Sequence, residues 1–286
     1  MHVHVVGAGK MGVPLALHLQ RAGHVVTVHD LDEDRLLLAR DAGLATDAGG
    51  IHVADVVLSS LPDDAALVEV GERVAKQARP DAIYVDTSTV SPDASAHVAH
   101  ACAATGVRYL RASVSGNNHM AEAAQLTVMA SGPRNAYDEV LPLLALFGPR
   151  QFYLGEGEQA RLMKLVVNLL IAQTSAMLAE GLALGSKGGL RWEDMWEVLA
   201  ASAVGSPILK AKAVQLAQRD FTPTFTVEQM IKDLGLILGA AATSHVPLPQ
   251  AAATLQLMQA AVAQGDGGDD YAAIIKAVER AAGLPD

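Results

Sequence analysis

Three glycines, Gly7, Gly9 and Gly12, stand directly after the β-rich run HVHVV (residues 2–6) and open a helical pattern that runs through Leu15 and Leu19 to Gly23. This junction leaves few folds open. A strand that ends in Gly-x-Gly-x-x-Gly and turns at once into a helix uses one glycine for the tight turn. A second lets an anion approach the backbone, and a third lets helix and strand pack closely. Lys10 and Met11 sit between them, so the whole turn from Gly7 to Gly12 is a candidate dinucleotide-binding loop. The motif alone is weak; the strand before it and the helix after it give it meaning.

The alternation continues. Residues 24–30, 54–62, 81–88, 108–114, 125–131 and 151–155 read as further strands, with helical stretches over 32–42, 65–76 and 92–105. Strands separated by helices imply parallel pairing through right-handed crossovers. After Gly157 the pattern changes. Residues 158–186 read as one helix, about 43 Å long at about 1.5 Å per residue. From Trp192 onward only helical periodicity is left, broken near 205–207, 221–226, 245–249 and 265–268. The expected architecture is an α/β Rossmann-type N-terminal domain (1–157), then a long interdomain helix that opens an all-α C-terminal domain (158–286).

Bulk properties narrow the function classes. A formal net charge of −10 argues against a nucleic-acid surface. No run approaches about 18 uninterrupted apolar residues, and no basic or apolar leader precedes Gly7. Neither a membrane span nor a secretory signal is expected, and the chain reads as cytoplasmic. The single cysteine, Cys102, excludes an internal disulfide and a Cys-based zinc cluster; in AHACAATG it reads as a packed helix residue. The histidines lack metal-ligand spacing, so no metal site is expected. Trp192 and Trp196, one helical turn apart, read as packing.

Asp30 ends the second strand, where a carboxylate can accept both ribose hydroxyls of NAD. Asp32, Glu33 and Asp34 follow and would repel a 2′-phosphate. Arg35 is the one nearby cation and is expected to face solvent. These residues predict NAD over NADP. Lys164 lies in GEGEQARLMKLVVNLL, a stretch that otherwise reads as a buried helix, and Asn168 returns to its face four residues on. An ammonium group is costly to bury without partners or a task. With the glycine loop, the pair points to redox chemistry on a small hydroxy compound.

The ordered motifs resemble the β-hydroxyacid dehydrogenases over nearly the whole chain. The opening GAGKMGVPLALHLQRAGHVV is similar to theirs, SSLPDD (59–64) to their cofactor-side loop and DTSTVSP (86–92) to their Asp-x-Ser-Thr segment. SVSGNN (113–118) resembles their substrate loop, GEGEQARLMKLVVN (155–168) the segment bearing the catalytic lysine, and FTVEQMIKDLGL (225–236) a second Lys-Asp segment. The resemblance implies an NAD(P)-dependent enzyme that transfers a hydride between nicotinamide and a small β-hydroxy acid or the corresponding semialdehyde. It also implies that the interdomain helix carries the lysine into a cleft between the domains.

The same resemblance makes Lys164 the general acid/base and gives Asn168 the task of orienting substrate or lysine. Ser115 and Gly116 would hold the substrate carboxylate, with Asn117 beside them. Leu61 and Pro62 would border the cofactor's ribose and Thr89 its nicotinamide end. Lys232 would approach cofactor or substrate, and Asp233 would brace that contact. Without the resemblance, Thr89 reads as a helix N-cap before Pro92, and Lys232-Asp233 as an exposed step on a helix.

Two departures bear on substrate. Where the family commonly has Asp-Ala-Pro-Val-Ser-Gly-Gly, this chain has Arg111-Ala112-Ser113-Val114-Ser115-Gly116-Asn117. Asn117 has a Cβ and cannot approach a ligand as closely as glycine. Arg111, Asn117, Asn118 and His119 read equally as a pocket remade for another substrate and as a drifted surface loop. Where the family often has paired asparagines, this chain has Val167 and Asn168. An imine reductase-like enzyme, which Lys164 disfavours, and a catalytically silent NAD-binding scaffold are the alternatives. The apolar helices over 170–260 imply a homodimer or homotetramer.

Overall fold

The computed structural model describes residues 1–285. It divides into two compact units, Met1–Leu165 and a second that begins at Val166. The first unit is built on one eight-stranded sheet in the order β3-β2-β1-β4-β5-β6-β7-β8. The strands are β1 (His2–Val6), β2 (Val25–His29), β3 (Ala45–Thr46), β4 (Val56–Ser59), β5 (Ile83–Asp86), β6 (Arg108–Ser115), β7 (Thr127–Ser131) and β8 (Arg150–Tyr153). Its helices are α1 (Gly12–Arg21), α2 (Glu33–Asp41), α3 (Asp64–Gln77), α4 (Pro92–Ala103), α5 (Asn118–Glu122) and α6 (Arg134–Leu144), followed by the start of α7 (Gln159–Lys187).

Successive strand residues alternate between two sides of the sheet, and in β1, β4 and β5 both sides are buried. Val3 and Val5 of β1 join Leu15 and Leu19 of α1 in one apolar layer. Val6 joins Leu67 and Val74 of α3 and Val98 and Cys102 of α4 in the other. Cys102 is thus core, and burial pushes its thiol up to about 12. Short polar side chains start the helices: Asp32 accepts from Asp34 N, Asp63 from Ala66 N, and Ser91 from Ala94 N just before Pro92. Ser91, not Thr89, is therefore the cap of α4.

Two features differ from the all-parallel reading. The sheet gains β3, only two residues long and too short for a periodic signal. β7 runs antiparallel to β6. Residues 116–126, which join them, hold only the five-residue α5, less chain than the dozen or so residues a parallel return takes. β6 runs from Arg108 through Ser115, one residue past the expected 108–114, and Arg111 lies inside it as that strand reading implied.

His4 is the odd member of β1, fully buried on the α3 side with Nδ1 2.9 Å from Thr27 Oγ1. Burial, with His29 nearby, depresses its pKa from 6.5 to about 4. The unfolded chain therefore takes up a proton before the folded one does. Stability is lost as pH falls from 6.5 to about 4, by about 3 kcal/mol at about 1.4 kcal/mol per pH unit. Urea unfolding at pH 7 and pH 4 should show His4→Asn losing less stability on acidification than the native chain. Equal losses would refute this account.

The second unit is helical: the rest of α7, then α8 (Trp192–Ala201), α9 (Pro207–Leu216), α10 (Val227–Thr243), α11 (Pro249–Ala263) and α12 (Ile274–Ala281). Thr226 and Gln229 form a reciprocal capping box at the start of α10. Trp192 and Trp196 meet edge to face at 5.7 Å, and Trp192 Nε1 donates to Leu216 O at 2.9 Å, so both are packing residues. By length and composition α7 could cross a membrane, but its Arg161 makes a buried ion pair with Asp86, as a helix packed on protein does. The helix is less buried than its sequence suggests. Leu162, Met163, Val166, Leu170, Met177 and Leu184 are all exposed.

Candidate active site

The C-terminal ends of β1, β2, β4 and β5 lie side by side, and the sheet order reverses direction between β1 and β4. Ligands of open α/β sheets bind at such a switch point. Gly7 N donates to His29 O at 2.8 Å, so the loop leaves β1 against the end of β2. Gly7 has φ +102°, and a Cβ there would stand 2.3 Å from Ser60 O. A Cβ on Gly12 would stand 1.8 Å from Gly7 O. On Gly9 it would meet no atom within 4 Å. Gly7 and Gly12 thus serve packing, while Gly9 has open space beside it, which a pyrophosphate lying on the loop would require. Lys10 is exposed, and Met11 packs against the core. A groove of about 530 Å³ beside the loop is lined by Gly9, Lys10, Val13, His18, Arg35 and Asn118, among others.

Asp30 stands against this loop. Its Oδ2 accepts from Ala8 N at 2.7 Å and its Oδ1 from Asp32 N at 3.0 Å. Leu31 beside it is 84% exposed. Arg35 does not simply face solvent: it is half-exposed and reaches Asp30 at 3.7 Å and Asp32 at 3.4 Å. Its charge is therefore partly offset by the carboxylates around it. Leu61 N donates to Ser88 Oγ at 2.8 Å, joining the loop after β4 to the segment after β5. Pro62 is exposed and Thr89 half-buried at the same strand ends.

Behind these loops lies a buried polar network that the sequence reading passed over. Asp86, the last residue of β5, accepts from Ser59 Oγ at 2.5 Å and Ser88 Oγ at 2.6 Å, and pairs with Arg161 of α7. Tyr84 reaches Ser59 Oγ at 2.9 Å. Burial pushes the Tyr109 phenol up to about 12, so it stays neutral beside Arg161. Arg111 is buried in the same network, paired with Glu158 and stacked 4.8 Å from the Tyr109 ring centre. It does not line a substrate loop. The one signal for Arg161 was a second cation three residues before Lys164, at helical spacing in an apolar stretch.

At the end of β6, Ser115 is half-buried and Gly116 takes φ +138°, where a Cβ would press 2.6 Å from Leu126 Cδ2. Asn117 caps α5, its Oδ1 accepting from Met120 N at 2.9 Å. Lys164, half-buried, falls in the first unit one helical turn past Arg161. In the second unit Asn168 is 5% exposed and donates to Asp233 Oδ2 at 2.5 Å. Lys232 Nζ stands 3.0 Å from Asp233 Oδ1. Asp233 is buried and holds both neighbours, so Lys232-Asp233 is more than an exposed step on a helix.

Residues 2–155 match the NAD binding domain of 6-phosphogluconate dehydrogenase, and residues 158–278 the NAD-binding family of NADP-dependent 3-hydroxyisobutyrate dehydrogenase. The chain is 33% identical over 287 residues to 2-(hydroxymethyl)glutarate dehydrogenase of Eubacterium barkeri, covering 98% of this chain and 95% of that protein. It is 30% identical over 285 residues to glyoxylate/succinic semialdehyde reductase 1 of Arabidopsis thaliana, covering 98% and 99%. The solved structure of Mycobacterium tuberculosis 3-hydroxyisobutyrate dehydrogenase with L-serine is similar with a TM-score of 0.88 at 26% identity, covering 96% of this chain and 98% of that one. With the glycine cradle at the switch point and matches along both halves, the chain belongs to the β-hydroxyacid dehydrogenase family of NAD(P)-dependent oxidoreductases.

Proposed function

We propose that the protein is an NAD-preferring dehydrogenase or reductase of a small β-hydroxy acid or the corresponding semialdehyde, with Lys164 as general acid/base. The observation that carries the reading is the pairing, in one unit, of the open cradle at Gly9 with a half-buried lysine on the helix anchored to Asp86. The relatives' names, a hydroxymethylglutarate dehydrogenase and a semialdehyde reductase, support the substrate class.

Gly7, Gly9, Lys10, Met11, Gly12, Asp30, Leu61, Pro62 and Thr89 of the first unit would hold the dinucleotide. Bound there, it supplies a hydride acceptor or donor. On oxidation Lys164 takes the hydroxyl proton as the carbon gives up its hydride; on reduction it returns a proton to the developing alkoxide. Ser115 and Gly116 offer a hydroxyl and a backbone N–H to the substrate carboxylate, with the amide nitrogen of Asn117 beside them. Asn168, fixed by Asp233, can orient the substrate through its carbonyl oxygen.

The NAD preference follows from charge. Asp30 and Asp32 already engage Arg35, and Glu33 and Asp34 add further negative charge at the start of α2. A 2′-phosphate would meet net repulsion there. The test is a screen of 3-hydroxyisobutyrate, glycerate, 3-hydroxypropionate, serine and related acids with each dinucleotide. Turnover with kcat/KM favouring NAD is expected. A tenfold preference for NADP would end the cofactor assignment, and tight NAD binding with no turnover of any acid would end the enzymatic one. The exposed apolar side chains of α7 support self-association as a dimer or tetramer; a monomeric mass by light scattering at micromolar concentration would count against it.

A further inference from the structure

The first turn of α7 is tied to the sheet by two guanidinium groups whose partners are distant in sequence. Arg161 is fully buried and uses every face of its fork. Nη1 donates to Ser88 O at 2.7 Å and Ser113 Oγ at 3.2 Å, and Nε to Ser95 Oγ at 3.3 Å. Nη2 donates to Tyr109 Oη at 2.9 Å and to the Asp86 carboxylate. Arg111, from β6, shares Ser95 Oγ at 3.2 Å and pairs with Glu158 immediately before the helix. Ser131 Oγ accepts from Ala160 N at 3.1 Å and donates to Gly157 O at 2.7 Å.

This is more than burial requires. An apolar residue at 161 could fill the volume, but it could not fix the rotation of the helix about its own axis. A planar fork bonded to β5, β6, α4 and the segment after β5 does fix it. The same Ser88 whose carbonyl accepts from Arg161 also takes Leu61 N on its hydroxyl. One hub at Asp86 thus connects the loops at the ends of β4 and β5 with the turn that presents Lys164, three residues on. A proton carrier displaced by about 1 Å can lose about 100-fold in rate.

We propose that Arg161 is a positioning residue for proton transfer by Lys164, locking the first turn of α7 in register with the segment from Asp86 to Thr89. This rests on the reading of Lys164 given above. The test compares Arg161→Lys, which keeps the charge but not the fork, with the native enzyme and with Lys164→Ala. The substrate is 3-hydroxyisobutyrate or whichever screened acid turns over fastest. Arg161→Lys should lower kcat at least about tenfold with KM for NAD within about twofold, and should displace the limb of the kcat–pH profile that depends on Lys164. If Arg161→Lys does not fold, the paired variant Asp86→Asn/Arg161→Gln, which removes both buried charges together, takes its place with the same expectation. An unchanged kcat, an unmoved pH limb, or a fall in kcat matched by lost NAD affinity would overturn the positioning role. Native turnover in Lys164→Ala would instead remove the reading beneath it, so the two failures are distinguishable.

Discussion

Lys164→Ala is expected to lower kcat by at least about 100-fold while leaving NAD affinity within about twofold. The side chain is half-buried on a turn whose neighbours Ala160, Arg161 and Leu165 are all buried, so its backbone is held whatever its side chain does. Truncation should therefore remove a proton carrier without loosening the helix. Lys164→Arg separates two ways in which the cation could act. Arginine keeps the positive charge but does not release a proton at neutral pH. If Lys164 only stabilised developing negative charge, the arginine variant would keep most of the native rate. If it transfers the proton, arginine should be nearly as slow as alanine. Steady-state kinetics on both variants decides this, and near-native turnover in Lys164→Ala would refute the role altogether.

The second large effect is a contrast within the glycine loop. Gly9→Ala places a methyl where no protein atom lies within 4 Å, so folding stability should change by less than about 0.5 kcal/mol. The same methyl stands in the cradle, so the Kd for NAD should rise at least about tenfold. Gly12→Ala drives a Cβ to 1.8 Å from Gly7 O, so the loop or the start of α1 must move, at a cost of about 3 kcal/mol. Calorimetric titration with NAD and thermal unfolding of both variants separate the two roles. Native NAD affinity in Gly9→Ala would mean that the pyrophosphate does not lie over Gly9.

The features legible in the sequence were those fixed by nearby residues. The strand–glycine–helix junction needs only a dozen positions, and the need for glycine at Gly12 is local, since a Cβ there would meet Gly7 O, whereas Gly7 is crowded by Ser60 from the end of β4. The long helix, expected over 158–186, runs from Gln159 to Lys187, because an uninterrupted helical pattern bounded by glycines sets its own ends. The breaks near 205–207, 221–226 and 245–249 fall between α8, α9, α10 and α11 for the same reason.

What escaped the sequence depends on partners far along the chain. β3 is too short to carry a period, and the direction of β7 is set by the length of the connection before it. Arg111 read as part of a variable loop because its partner Glu158 is 47 positions away. Asn168 donates to Asp233, 65 positions on, a pairing that no local pattern announces. The exposure of one apolar side of α7 was invisible too, since composition does not say which face a neighbour covers.

By itself the sequence determined the nucleotide-loop geometry, the helix that carries Lys164, and the family to which both belong, because backbone sterics and periodicity act over a few residues. Only the tertiary structure decided how Lys164 is held. Arg161 and Asp86 are 75 residues apart, and a buried guanidinium finds its carboxylate through the fold of the sheet, not through any pattern along the chain.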